Sequence, residues 1–182
     1  MKQRMCSLFL ALVLLLSLAV PAAAAGTLPF TDVKESDWFY SYVKTMYDNE
    51  LVSGTTPTTF SPQDTVTLGE ALKFILNAAG YTAPTTSGKN WASGYYQLAQ
   101  EKGFLNSSWS LGLNDAINRL QIAELIVNVL GVERKQQTAS PFTDTSDVAA
   151  LILSDHGIFE GTTERDGKTY FYPQRNISRA EI

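Results

Sequence analysis

Cysteine is all but missing from this chain: the single thiol among 182 residues is Cys6. Beyond that position no disulfide and no thiolate metal site can form. Histidine is equally scarce. His156 stands alone, beside Gly157, with no serine or cysteine at a spacing that would make a nucleophile–base set; a helix C-terminal cap is the bland reading of its place. Positive charge is in short supply too. Lys2 and Arg4 lie in the first 25 residues, which hold no acid, so the remainder carries 12 basic against 18 acidic residues, a net charge of −6. An acidic chain of this kind is a poor partner for nucleic acid. There is no glycine-rich phosphate loop. Asp144 and Asp147 lack the glycine and terminal glutamate of an EF-hand loop, and no carboxylate pair is singled out for glycoside hydrolysis. No cofactor and no metal are therefore expected.

The one long apolar run, Leu8–Val20, covers 13 residues broken by Ser17, shorter than the ~20 that span a bilayer. Lys2 and Arg4 precede it and Ala22–Ala25 follow it. Residues 1–25 thus read as a secretory signal peptide, with an uncleaved anchor as the alternative. Cys6 precedes the run, so it is badly placed for a lipoprotein anchor. The mature chain is expected to be secreted, to have no stable membrane span, and, exported without disulfides, to suit a bacterial surface.

What the chain does have is a repeat. "PFTDVKESDWFYSYVKTMYDNELVSGTT" from Pro29 is echoed by "PFTDTSDVAALILSDHGIFEGTT" from Pro141. Phe60-Ser61-Pro62 answers Phe171-Tyr172-Pro173, and Thr67-Leu68-Gly69-Glu70 answers Ser178-Arg179-Ala180-Glu181. The opening motifs are 112 residues apart and the closing motifs 111. A more worn copy lies between them: a helical pattern over Trp91–Ala99, then Gly103-Phe104-Leu105, then Asn118-Arg119-Leu120-Gln121. In the first unit, apolar residues at 38, 39, 42, 43, 46 and 47 make a helical stripe, with Asp37 as N-cap and Gly54 as stop. Thr67 and Glu70 open a second helix as a capping box, which Leu72, Phe74, Ile75, Leu76 and Ala79 make apolar and Gly80 ends. Asn118 and Gln121 do the same for a helix packed through Ile122, Leu125, Ile126 and Val129 and closed by Gly131. Each unit reads as helix, loop, helix, and must pack on its neighbours to bury its faces.

These residues resemble the S-layer homology family. Phe30-Thr31-Asp32-Val33 with Trp38, Gly54, Phe60-Ser61-Pro62 and Ser178-Arg179-Ala180-Glu181 carry the likeness, the last being close to the family's Thr-Arg-Ala-Glu motif. The resemblance implies an all-α fold of three helix-loop-helix repeats around a pseudo-threefold axis: 26–84, a degenerate 85–138, and 139–182, the last expected to be truncated. It implies a non-catalytic module that anchors an exported protein to a secondary cell-wall polysaccharide attached to peptidoglycan, one that bears pyruvate ketals in the better-understood members, in grooves between repeats. Two alternatives stand beside it: the targeting part of a longer cell-surface hydrolase or transferase, and an S-layer structural subunit. The oligomeric state is left open.

The candidate ligand residues follow. Arg119 and Arg179 sit on the first turn of a helix, where unpaired N–H groups, the helix dipole and a guanidinium together would suit a carboxylate; a solvated or Asp-paired arginine is the alternative. Trp38 and Trp91 either stack on a sugar or fill the core, while the third unit has only Val148 and Ala149 there. Asp32 and Asp144 brace loops or touch ligand. Gly54, Gly103 and Gly161 stop helices or let a sugar approach the backbone. Leu68 and Gly69 replace the arginine and alanine of the first unit, whose groove is expected to lack the clamp. The last residues, 176–182, open a helix that only Ile182 continues, and are expected to be poorly packed.

Overall fold

The computed structural model describes residues 27–85, 90–134 and 139–182; the segment read as a signal peptide lies outside the described residues. Among them the chain forms five helices: α1 (Tyr40–Asp48), α2 (Leu68–Ala78), α3 (Ser93–Glu101), α4 (Arg119–Leu130) and α5 (Val148–Asp155). The exception to an all-helical fold is a two-residue antiparallel ribbon, β1 (Thr162–Thr163) with β2 (Thr169–Tyr170).

Local chemistry starts the long helices. The Thr67 hydroxyl accepts from the Glu70 N–H at 3.3 Å while the Glu70 carboxylate accepts from the Thr67 N–H at 3.0 Å. Asn118 and Gln121 form the same reciprocal pair at 2.9 and 3.0 Å, so two otherwise orphaned donors are satisfied at each start. Gly131, left-handed at φ 61°, closes α4. In α1 the expectations need correcting. Its N-cap is Phe39, which has no side-chain capping bond, and the Asp37 carboxylate instead accepts from the Lys34 N–H at 2.8 Å in the preceding turn. The apolar stripe is only half used: Phe39 and Val43 are buried, while Trp38 and Tyr42 face outward. The helix ends at Asp48, with Glu50 in the left-handed region at φ 59°, so Gly54 is not its stop.

The second helix of one unit packs on the first helix of the next: α2 on α3 and α4 on α5, with α2 also against α4. The main core gathers Leu68, Leu72 and Leu76 of α2, Ile122 and Leu125 of α4, and Leu151–Leu153 of α5. A smaller core holds Phe30, Phe39, Val43, Phe60 and Phe74. Beside α1 lies a cavity of about 640 Å³ lined by Val43, Val52, Phe60, Phe74 and Phe159, with Arg179 and Ile182 on its wall.

Three fully buried residues, one ahead of each cap, tie the units together. Val66 N–H donates to Ile177 O at 2.9 Å, Ile177 N–H to Ile117 O at 3.3 Å, and Ile117 N–H to Val66 O at 3.1 Å, a closed cycle. This corrects the expectation for the last seven residues. Ile177 is fully buried and Arg179 is 5 % exposed, because backbone pairing with two distant segments, at Val66 and Ile117, holds these residues in place.

Candidate carbohydrate-binding grooves

The cap turn of each unit docks on the Pro-containing loop, or its equivalent, of another. Leu68 and Gly69 donate their N–H groups to Asp115 O and Leu113 O, both at 2.9 Å; Arg119 and Leu120 donate to Arg175 O and Pro173 O at 2.9 and 3.1 Å; Arg179 and Ala180 donate to Asp64 O and Pro62 O at 3.0 and 2.9 Å. The expectation of unpaired N–H groups at Arg119 and Arg179 is therefore corrected. Buried donors need partners, and carbonyls from the neighbouring unit supply them.

The guanidiniums reach further into the same neighbour. Arg179 Nε donates to Phe60 O at 2.8 Å, Nη2 donates to Ser53 O at 3.0 Å, and Nη1 pairs with the Glu70 carboxylate. The Phe60 and Phe74 rings lie 4.7 and 5.2 Å from its guanidinium carbon. Arg119, 9 % exposed, repeats this one unit earlier: Nε to Phe171 O at 2.8 Å, Nη2 to Glu160 O at 3.3 Å, and Nη1 3.9 Å from Glu181. Burial and the nearby Arg175 charge pull the Arg119 pKa below its usual value, against Glu181 and Asp144. In each case the arginine of one unit meets the capping-box glutamate of another. In the first unit the arginine position holds Leu68, and in the second the glutamate position holds Gln121. Both charges are missing from one register, so neither is left buried alone.

The loops that accept these bonds are braced from behind. The Asp32 carboxylate takes the N–H groups of Phe60 and Ser61 at 2.8 and 2.7 Å, and Asp144 those of Phe171 and Tyr172, both at 2.8 Å. Two charge-assisted bonds hold Ser61 and Tyr172 in the left-handed region at φ 59° and 57°. Gly54 and Gly161 are not helix stops. A Cβ on Gly54 would fall under 3.0 Å from Thr56 O, Thr59 O and a Phe30 ring carbon, and one on Gly161 under 3.0 Å from Thr169, Phe142 and Tyr170. Gly103 does end its helix, at φ 72° with its N–H on Gln100 O at 3.0 Å.

Neither tryptophan is a core residue: Trp38 is 64 % and Trp91 60 % exposed. Val148 at the third position is exposed as well. Trp91 lies under the Lys73 ammonium, 5.9 Å from its ring centre. Trp38 forms one wall of a cavity of about 370 Å³ whose other sides are Gln63, Thr65, Arg175, Asn176, Ser178 and Glu181. Arg175 escaped the reading of the sequence because no local motif marks it. The signal available was its register, since the matching loop positions are Asp64 and Asp115, each donating its N–H three residues back just as Arg175 does.

Glu181 sits at the centre of this wall. It accepts from Arg175 Nη1 and Nη2 at 3.1 and 2.6 Å and from the Ser178 N–H and hydroxyl at 3.0 and 2.9 Å. Burial pushes its carboxyl up, but these donors outweigh that and hold it at about 2, against 4.5 when unperturbed. A carboxyl with a depressed folded-state pKa stabilises fully above its unfolded value and loses that contribution as pH falls through the folded one. The chain is expected to lose about 2 kcal/mol between roughly pH 4.5 and pH 2 through this group. Urea unfolding across that range should show the loss, and Glu181→Gln, which keeps the cap, should flatten it; an unchanged pH dependence in the variant would refute the assignment.

The geometry defines a class of protein: units interlocked cap turn to loop, with solvent-facing clefts along the seams. Residues 29–72 and 141–182 match the S-layer homology domain, and these segments belong to that family. Such domains are anchoring modules of cell-wall and surface proteins rather than catalysts. The chain is 33 % identical to an endoglucanase of Bacillus sp. (strain KSM-635), along 96 % of its own length and 21 % of that protein's. It is 35 % identical to the middle cell wall protein of Brevibacillus brevis over 59 % of this chain and 10 % of the relative. With the surface-layer 125 kDa protein of Lysinibacillus sphaericus it shares 24 % identity over 80 % of this chain and 13 % of the relative. The chain thus spans about a tenth to a fifth of the length of these relatives.

Proposed function

We propose that this chain is a non-catalytic module that holds an exported protein at the bacterial cell surface by binding secondary wall polysaccharide in the seams between three repeats, 26–84, 85–138 and 139–182, arranged about a pseudo-threefold axis. The observation that carries this reading is that the two segments matching the S-layer homology domain dock on each other, through Arg179, Ser53, Phe60 and Glu70. The cyclic bonding of Val66, Ile117 and Ile177 supports the axis, and the cap at Asn118 supports counting the middle segment as a repeat. Trp38 and Trp91 offer exposed rings on which a sugar can stack. Arg119 and Arg179 hold the seams together from within, with Asp32, Asp144, Gly54 and Gly161 holding the walls and Gly103 closing α3. An anionic, pyruvylated polysaccharide is the ligand that the likeness to the S-layer homology domain favours.

Purified protein should sediment with isolated walls that retain their polysaccharide and not with walls stripped of it; equal sedimentation would refute the reading. Trp38→Ala should weaken wall binding about tenfold, roughly 1.4 kcal/mol, by removing the stacking ring. Unchanged binding would take Trp38 out of the site. A second reading, the targeting part of a larger surface hydrolase, is favoured by the endoglucanase that matches nearly the whole chain. Glucan cleavage by the intact gene product would decide it.

A further inference from the structure

Resting on the wall-polysaccharide reading, we infer that Arg175 is the residue that selects an anionic sugar, and that the cleft it shares with Trp38 is the one seam of the three built for a carboxylate-bearing saccharide. Three observations converge. First, Arg119 and Arg179 are nearly inaccessible, with their N–H groups turned onto carbonyls and carboxylates of the neighbouring unit. The Arg175 side chain is 46 % exposed. Two of its five N–H donors bond Glu181, leaving three for a ligand. Glu181 acts as a positioning residue, fixing the plane of the fork so that little rotamer freedom is lost when a carboxylate docks.

Second, the cleft is sized and lined for a sugar. Its volume is about 370 Å³, and around the arginine it presents an aromatic face and the amides and hydroxyls of Gln63, Asn176 and Thr65, the mix that holds a polar ring by stacking and hydrogen bonds. Third, the equivalent seams lack the combination. The register of Arg175 is occupied by Asp64 ahead of the first cap and Asp115 ahead of the second. By register the other two loops hold an acid where the third unit holds Arg175; the Trp91 ring faces the Lys73 ammonium at 5.9 Å, a point charge without the arginine's bidentate fork, and Val148 replaces the aromatic ring in the third unit. Like charge at those positions disfavours an anionic ligand.

The test compares binding of wild type, Arg175→Gln, Arg175→Lys and Trp38→Ala to purified wall polysaccharide before and after mild-acid removal of its ketal carboxylates, with circular dichroism and thermal melts showing that each variant is folded. Arg175→Gln is expected to lose about tenfold or more on the carboxylated polysaccharide and to match wild type on the stripped one. Arg175→Lys should recover only part, since a lysine cannot bind a carboxylate bidentately. Trp38→Ala should weaken both. If wild type binds walls and Arg175→Gln binds the carboxylated form equally well, the selection role of Arg175 is overturned while the anchoring reading stands. If wild type binds neither form, the anchoring reading falls and this inference with it.

Discussion

Replacing Arg179 with alanine is expected to destabilise the protein by about 3–5 kcal/mol, the range for removing one partner of a buried ion pair. The guanidinium neutralises Glu70, donates to Phe60 O and Ser53 O, and lies between the Phe60 and Phe74 rings. Truncation leaves the carboxylate and two carbonyls without that donor and opens a gap between the rings. For a chain of this size, a melting temperature lower by about ten degrees corresponds to that loss. The protein itself suggests the compensating change, because the same register elsewhere in the repeat holds Leu68 and Gln121, neither of them charged. Arg179→Leu combined with Glu70→Gln keeps the cap and removes both charges, and should recover about 2 kcal/mol of the loss; the carbonyls stay unpaired, so recovery is partial. Thermal and urea unfolding of the single and double variants measures this. A double variant as unstable as the single would show that the charge pair is not what holds this seam.

Gly54→Ala carries the second large expected effect, about 3 kcal/mol by overpacking. Two of the three atoms that the new Cβ would strike are backbone carbonyl oxygens, Thr56 O and Thr59 O. Thr59 O is fixed by the Thr55 N–H at 2.9 Å, so neither can turn aside as a flexible side chain would. Gly80→Ala is the internal comparison. It has φ +80° and open space around it, and an alanine there bears only the left-handed backbone cost of about 1–2 kcal/mol. If Gly54→Ala in urea denaturation costs no more than Gly80→Ala, the close packing of this loop is not what fixes the glycine.

These two residues also show where reading the sequence succeeds and where it stops. The caps at Thr67 and Asn118 were legible because both partners lie within four residues and the chemistry of a helix start is local. The apolar faces of α2 and α4 were legible because periodicity reports burial directly. Gly54 was marked by its recurrence as Gly161, but its reason was misread. A glycine after a helical stripe looks like a stop, and only the fold shows a loop crossing against Phe30. Arg179 was singled out, yet its partners Ser53, Phe60 and Glu70 lie 109 to 126 residues away, beyond any local pattern. The helix start that looked like an open anion site is filled for the same reason. Trp38 and Trp91 fit either core or surface in the sequence, because a tryptophan on an apolar stripe suits both, and the stripe is wider than the face that α1 buries.

The closed cycle of Val66, Ile117 and Ile177 has a kinetic consequence. Neighbouring units can pair through α2 with α3 and through α4 with α5 as soon as each is complete, but the bond from Val66 to Ile177 closes a loop of more than a hundred residues. Its entropy must be met late. The cleft between Trp38 and Arg175 lies across that last seam, so it is assembled only when the ring shuts. On the wall-binding reading proposed above, a chain that folds after export could not grip its sugar until the segment around Ile177 docks on Val66 and Ile117, and sugar affinity would then report directly on completed folding.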